Sequence, residues 1–339
     1  MGTNQNGKRF YQVKVKSLDV TSLKELRRLM GPLQRQAFRK VYGKILDLTI
    51  AEVFTEAVIS LAQYYDQPLR CFTFGDFQMV PTIEEFEEIL GCPLGGRKPY
   101  LFFGFLPSLS KIAAVVGDSA KEMDCMRQTR NGVVGLPRKY LEGKARDMAG
   151  QVKWGPFADI LALLIFGVFL FPNVDGLVDL AAIDAFLAYH HSKESPVVAI
   201  LADLFDTFDR RWGNAINWFP HWKEGKEGVL FLCGDYPNVP LIGTRGCINY
   251  NPALAIRQLG YPMRGAPTKE SLSPFLVRDL GAQSLKVIKR VHKAWRKNFE
   301  APEEDEEVRA LKLELGKARL AKEKFKLAAT HIQKECTEL

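Results

Sequence analysis

The sequence predicts a mainly α fold, namely an irregular multi-helix globular domain with a few short β-strands, followed by a C-terminal helical, coiled-coil-like tail. Three observations predict this class. Apolar residues recur every three or four positions in most segments, which is the helical period. Strand-like runs are short and are bounded by turn residues. Of the 339 residues, 47% are hydrophobic and 25% are charged, a balance typical of a globular chain.

The chain divides into three predicted regions. Residues 1–20 form a flexible segment without an apolar signal sequence, residues 21–300 form the helical domain, and residues 301–339 form an acidic linker and a coiled-coil-like helix. The six cysteines are scattered and form no C-x-x-C pair. This spacing argues against a zinc ribbon and favours reduced thiols inside the cell.

The first elements follow from local patterns. The segment VTSLKELRRLM predicts an amphipathic helix with Thr21 or Ser22 as its N-cap. Helical spacing then continues over Lys44–Asp66, which predicts one long helix that Pro68 ends. Loosely alternating apolar residues over Arg70–Val80 predict a short strand or hairpin.

The run PTIEEFEEILG raises the question of an acidic site, because four glutamates fall within five positions. Thr82 and Glu85 have capping-box spacing, and carboxylates are favoured near a helix N-terminus. The opposite, apolar arc consists of Ile83, Phe86, Ile89 and Leu90. We therefore predict a solvated helix face. A metal shared by Glu84 and Glu88 is the alternative, and no His stands at ligand spacing to support it.

The middle of the chain is predicted to be helical. A Gly- and Pro-rich loop over residues 95–110 precedes shorter helices over 110–126 and 136–149. The apolar run 160–171 has 12 residues, whereas a bilayer needs about 20, so it predicts a buried core helix, with membrane insertion as a minor alternative. Two more helices are predicted over 175–191 and over 195–212, the latter with Ser195 as cap.

Residues 228–263 differ from the rest, since a strand-like run gives way to turns and then to a helix that begins at Asn251. No phosphate loop, dinucleotide-binding glycine motif or metalloprotease motif is present, so the sequence predicts a non-catalytic protein with no cofactor and no metal. His190 and His191 are adjacent, and side chains one position apart on a helix diverge by about 100°. They are predicted to mark a helix end.

Two catalytic alternatives stay open at this point. One is a Cys/His nucleophilic pair, since such partners are distant along a chain. The other is a divergent enzyme site built on Asp235, Arg245 and Asn249, in the block richest in turns. Buried turn residues are the simpler interpretation of that block.

A basic amphipathic helix is predicted near residues 285–297, and it is the best candidate for contact with nucleic acid phosphates. The net charge of +8 agrees with a polyanionic partner but does not specify one. The alternative is intramolecular pairing with the acidic run 303–307. The candidate nucleic-acid-binding residues are Lys286, Lys289, Arg290, Lys293, Arg296 and Lys297.

Two further segments bear on partners. Trp212, Trp218 and Trp222 lie among basic residues and offer rings for stacking on bases, although anchoring of a loop to the core is the commoner role of Trp. Residues 308–332 carry apolar residues at heptad-like spacing, weakened by alanines and a lysine. Self-association or a protein partner is therefore predicted through 308–339, and no membrane partner is predicted.

Four blocks of the chain resemble one protein family, the plant mobile domain-like proteins. They are CFTFGDFQMVPTIEEFEEIL, LLIFGVFLFPNVDGLVDLAAI, NVPLIGTRGCINYNPALAIRQLGYPM and VHKAWRK. The resemblance implies a mainly helical, retroelement-associated domain with nuclear roles in silencing and genome maintenance. The predicted location is the nucleus or the cytoplasm, with the nucleus favoured. It implies no catalytic residues. The label "aminotransferase-like" attached to some members has no support here, since no lysine stands in a recognisable Schiff-base context.

Overall fold

The computed structural model describes residues 18–66, 70–73, 78–92, 97–212, 239–250, 277–278 and 285–299. Within these ranges the fold is mainly α with a few short strands, which confirms the predicted class. The predicted coiled-coil-like tail lies outside the described residues. No helix in the described part of the chain is both long and apolar enough to cross a bilayer.

Helix α1 (Thr21–Leu29) buries Leu23 and Leu26 and leaves Leu29 half exposed. The predicted N-cap at Thr21 or Ser22 is wrong. The Asp19 carboxylate accepts a hydrogen bond from the Thr21 N–H at 3.0 Å, so an acidic side chain before the helix satisfies that donor. The Ser22 hydroxyl instead joins the Glu142 carboxylate on a later helix.

The long helix predicted over residues 44–66 is also wrong. After α2 (Pro32–Tyr42) the chain forms a 3₁₀-helix (Ile45–Ile50), a short helix α3 (Thr55–Ala62) and strand β1 (Tyr65–Asp66). Tertiary packing outweighs the helical pattern at the end of this segment. Tyr65 lies in β1 and not in a helix, and its ring packs at 5.4 Å from the Phe72 ring.

In the described part of the chain, three small antiparallel sheets lie between the helices, each with its strands in sequence order. The hairpin predicted over residues 70–80 is confirmed by the pairing of Phe72 with Met79. The remaining strands are β2 (Cys71–Thr73), β3 (Gln78–Met79), β4 (Gln128–Arg130), β5 (Val133–Pro137), β6 (Leu177–Asp179), β7 (Val239–Ile242), β8 (Gly246–Tyr250) and β9 (Val277–Arg278).

The hairpin of β4 and β5 was not predicted. Its turn consists of Asn131 and Gly132, which both have positive φ, 52° and 78°. Two-residue turns of this kind match the twist of a hairpin, and Asn-Gly is their preferred sequence. The sequence signal was therefore present between two short strand-like runs.

Helix α4 (Ile83–Leu90) confirms the capping box. The Glu85 N–H donates to the Thr82 hydroxyl at 3.1 Å, and the Thr82 N–H donates to the Glu85 carboxylate at 3.2 Å. Gly91 ends the helix in the left-handed conformation, as predicted. Ile89 was placed on the buried arc, but 55% of it is exposed, because it lies at the edge of that arc.

A buried helix forms the centre of the core. Helix α8 (Trp154–Ile165) continues into a π-helical turn (Phe166–Leu170), and the whole run 160–165 has no exposed surface, which confirms the predicted core helix. The loop 97–108 lies before the three helices that lead to α8, as predicted. The other elements of this region are α5 (Leu109–Val116), α6 (Ala120–Met126) and α7 (Arg138–Gly150).

The helix predicted over residues 175–191 begins later, because β6 comes first and joins β5. It consists of α9 (Leu180–Leu187) and a π-helical turn (Ala188–Ser192). Gly167 lies so close to the Val178 side chain that a Cβ atom there would overlap it. This close approach seats the sheet against the end of α8.

Helix α10 (Val197–Trp212) agrees with prediction, but Ser195 does not cap it. Within the described residues the buried Ser195 hydroxyl has no hydrogen-bond partner. The backbone of Ser195 instead forms an isolated parallel bridge with Pro99, which ties the 97–108 loop to the start of α10. Helix α11 (Leu285–Phe299) is the last described element.

Candidate nucleic-acid interface and buried polar clusters

Helix α11 is held by one apolar face. Ile288, Val291 and Ala294 recur every three residues and are at most 4% exposed, and the helix packs on β7. With 3.6 residues per turn, this spacing keeps a single stripe against the core. The opposite face of α11 is thereby fixed toward solvent.

That opposite face carries the predicted cations. Lys286, Lys289, Arg290 and Lys293 are all exposed, and they are called the cationic face below. Arg296 and Lys297 belong to the helix, but their side chains lie outside the described residues. The first turn of α11 contains no acidic residue. The structure therefore brings four of the six predicted residues onto one exposed surface, and their role in binding stays a prediction.

A second cluster of functional groups joins α10 to the turn between β7 and β8. It is called the Asp203 cluster and consists of Asp203, Thr207, Thr244 and Arg245. The Thr244 hydroxyl and the Arg245 N–H both donate to the Asp203 carboxylate. The Arg245 guanidinium also donates to the Asp203 carbonyl oxygen at 2.8 Å and to the Thr207 hydroxyl at 2.9 Å.

The electrostatics of this cluster are those of a buried ion pair. Asp203 is 2% exposed, and burial raises the pKa of its carboxyl, while the nearby Arg245 guanidinium and the hydrogen bonds from Thr244 and Arg245 act in the opposite direction. Gly243 precedes the two donors, and a Cβ atom there would overlap the Asp203 carboxylate. The cluster therefore fixes the turn to α10.

Of the alternative enzyme site on Asp235, Arg245 and Asn249, the structure describes only the side chain of Arg245. Arg245 is occupied by Asp203, and Asn249 lies within β8, where its backbone pairs with Pro240. Asp235 and the side chain of Asn249 lie outside the described residues. Trp218 and Trp222 lie outside them as well, as does the side chain of Trp212.

A third cluster, the Tyr42 cluster, joins α2, α8 and the end of α9. The Tyr42 hydroxyl donates to the Asp159 carboxylate at 2.6 Å and lies 2.9 Å from Nδ1 of His190. Since the hydroxyl proton goes to Asp159, His190 supplies the proton of the second bond. Burial, followed by the hydrogen bond to Asp159, raises the pKa of Tyr42, and burial lowers the pKa of His190.

The two histidines have separate roles. The ring of His190 stacks on Phe186 at 5.5 Å, whereas His191 is exposed. Both lie in the last, π-helical turn, which agrees with the predicted helix end. No sequence signal marks the Tyr42 cluster, because its members are 117 and 148 residues apart along the chain.

The glutamates of α4 are solvated or engaged in capping. Glu84 and Glu88 are exposed, and Glu85 forms the capping box. Across the described ranges, no group of three or more His, Cys, Asp or Glu side chains is placed to hold a metal ion. These facts agree with the solvated-face interpretation.

A shallow groove of about 500 Å³ lies between α1, α7 and the start of α8. Its floor is apolar, and Glu25 and Arg146 face each other at its rim at 3.5 Å. Its lining residues are Glu25, Leu26, Leu29, Arg146, Ala149, Gly150 and Trp154. None of the predicted site residues lines it.

The family described as a domain of unknown function (DUF7745) matches residues 23–215 and 212–312, which together exceed half of the chain. No curated protein and no solved structure matches the sequence.

The Asp203 cluster predicts a strong effect of removing its cation. Arg245→Met leaves a buried carboxylate without its charged partner, and we expect unfolding at about pH 7 to become easier by about 3 kcal/mol. The loss of unfolding free energy should be smaller at lower pH, because Asp203 can then be buried in its neutral form. Urea unfolding at about pH 7 and about pH 5 measures both effects.

The matched control is Arg39→Met, which removes a cation from the exposed pair with Asp47. Exposed pairs contribute at most about 1 kcal/mol, so this change should be small at both pH values. Equal losses for the two variants would contradict a structural role for the Asp203 cluster.

The Tyr42 cluster predicts a pH effect on stability. Burial lowers the pKa of His190 in the folded state, against the attraction of Asp159 and with the repulsion of His191 and Lys193. The unfolded chain therefore binds the proton first, so His190 makes stability fall as the pH drops below about 6.5. We expect His190→Asn, whose amide can still bond to Tyr42, to flatten that fall in urea unfolding experiments.

His191→Asn serves as the control, since it removes an exposed imidazole from the next position. It should flatten the pH dependence much less than His190→Asn does, since only the repulsion of His191 on His190 is lost while the burial of His190 remains. A pH profile that flattens equally in both variants would show that burial of His190 is not the cause.

Proposed function

The chain belongs to the DUF7745 family, and we propose that it is a non-catalytic interaction protein that binds nucleic acid through the cationic face of α11. The observation that carries the proposal is the division of this helix into two faces. Ile288, Val291 and Ala294 are buried, while four cations are exposed on the other side.

Phosphate binding suits this geometry. Lys286, Lys289 and Lys293 follow one another at intervals of three and four positions, so each side chain lies about one turn from the next on the same side. Neutralising phosphates with such a row releases counterions, which is the main source of sequence-independent affinity for nucleic acids. The net charge of +8 adds a long-range attraction for a polyanion.

The buried polar clusters support a non-catalytic role in the same proposal. The Asp203 cluster and the Tyr42 cluster each satisfy their charged groups with internal hydrogen bonds between packed elements. Neither contributes a residue to the groove near α1. Their chemistry is therefore used in joining helices.

The proposal extends to kinship and location. On the resemblance of its four sequence blocks to plant mobile domain-like proteins, we assign the chain a retroelement-associated role in silencing or genome maintenance in the nucleus. Chromatin and RNA there present the polyanions that a basic helix binds.

Self-association through residues 308–339 is also part of the proposal, and it rests on heptad-like spacing in the sequence. We expect sedimentation to give a larger assembly for the full chain than for a chain that ends at Pro302. Equal monomeric mass for both would contradict the oligomer but leave nucleic acid binding unaffected.

The central test is the salt dependence of binding. Lys286, Lys289 and Lys293 are changed together to Gln, and affinity for a labelled DNA duplex and a labelled single strand is measured by fluorescence anisotropy over a range of salt concentrations. If all three lysines contact phosphates, the slope of log affinity against log salt should become shallower by about 2 to 3, since each contact contributes about 0.9 on duplex DNA.

The control changes three exposed lysines elsewhere, Lys40, Lys139 and Lys153, to Gln, which removes the same charge. This control variant should lose only the weak, long-range attraction between the net charge of the chain and the nucleic acid. If the control and the α11 variant bind alike, binding reflects net charge and the interface is elsewhere. If the unmodified chain binds neither nucleic acid, the proposed function is wrong.

A further inference from the structure

The loop before α5 is buried and hydrogen-bonded at its start, and it exposes large apolar side chains toward its end. Tyr100, Leu101 and Phe102 are at most 8% exposed. The Tyr100 N–H donates to the Ser195 carbonyl oxygen at 2.8 Å, and the Tyr100 hydroxyl donates to Asp184 at 2.8 Å. The backbone that follows is therefore held firmly at its start.

The next residues present large apolar side chains to solvent. Phe103 is 50% exposed, Phe105 is 58% exposed and Leu106 is 49% exposed. Gly104 separates the two rings with φ of 81°, a conformation that residues with a Cβ rarely adopt. Because neighbouring apolar groups left in water are uncommon on a soluble surface, this arrangement indicates an interaction site.

The loop meets α11 directly. The Phe103 ring stacks on the His292 ring, with centroids 3.9 Å apart and planes inclined by 23°. His292 is 7% exposed, whereas Phe103 keeps half of its surface open. Lys289 precedes His292 by three positions, so it lies on the same side of the helix, about one turn away. The exposed Phe103 ring thus contacts the helix that carries the cationic face, about one turn from Lys289.

We infer that Phe103, Phe105 and the cationic face together form a binding site for single-stranded nucleic acid, an inference that rests on the proposed function and specifies its ligand. Unpaired bases offer their ring faces for stacking on exposed aromatic side chains, while the adjoining phosphates bind lysine and arginine. The bases of a duplex are already stacked on one another, so the two rings have nothing to stack on there. The combination of rings and cations favours the single strand.

A protein partner is the competing occupant of this loop. Apolar side chains alone would fit such a partner, but Phe103 rests on the helix that carries the cations, and the first turn of that helix has no acidic residue. Charge complementarity therefore favours a ligand that is both anionic and rich in flat apolar rings.

The experiment compares a labelled oligothymidylate of about 16 nucleotides with a DNA duplex of the same length, both at about 0.1 M salt. The variants of the full chain are Phe103→Leu and Phe105→Leu, which keep an apolar side chain but remove the ring. Each should weaken binding to the single strand by about fivefold or more. Affinity for the duplex and the salt slope should stay unchanged.

Two further variants make the result decisive. Phe105→Tyr keeps a ring and should retain the affinity for the single strand. Phe54→Leu removes an exposed ring at another place, 69% exposed, and should change nothing. If Phe103→Leu alters folding by circular dichroism, Phe105→Leu and Phe105→Tyr still decide the question.

The outcomes separate the inference from the proposed function. Salt-dependent binding in which both Leu variants equal the unmodified chain, or in which the duplex binds at least as tightly, overturns the single-strand site and leaves nucleic acid binding in place. Absence of binding to either probe overturns both, and the loop would then be assigned to a protein partner.

Discussion

The complete burial of residues 160–165 in α8 is the constraint on which the other packing arrangements depend. Its run 160–165 has no exposed surface, so helices must cover it on every side. Each buried Leu or Ile side chain contributes about 1.5–3 kcal/mol, which makes the run a large share of the core. The same helix carries Asp159, whose carboxylate needs a donor once its surroundings close, and Tyr42 from α2 supplies it. Burial of the apolar run thus dictates the polar contact at its edge.

Local chemistry explains which elements were predictable. The capping box of Thr82 and Glu85 involves residues three apart, so its geometry follows from the sequence alone. The Asn131–Gly132 turn is also encoded locally, but its strands are too short for an alternating pattern to mark them. By contrast, the end of the segment 44–66 is shaped by the contact of the Tyr65 ring with Phe208, which is distant in the chain. No local pattern encodes that contact.

The candidate interface likewise has one part that the sequence predicts and one part that it does not. The helical period of Ile288, Val291 and Ala294 in the sequence was sufficient to place the cations opposite them. The aromatic half of the surface was not predictable, because Phe103 reaches α11 only through the tertiary fold. Residues 95–110 were interpreted as a loop that passes over the core, which is correct for Tyr100 and incomplete for the exposed rings beyond it.

The Asp203 cluster has a consequence for deletion mapping. Helix α11 rests on β7, and the turn after β7 is fixed to α10 through Arg245. A fragment that starts beyond α10 would keep β7 but lose the anchor of its turn, and it would lack the loop at residues 97–108. Such a fragment would behave as a cationic peptide with affinity for any polyanion. Binding experiments on C-terminal fragments would therefore detect the charge of α11 but not a preference for one kind of nucleic acid. Point variants in the whole chain report on both.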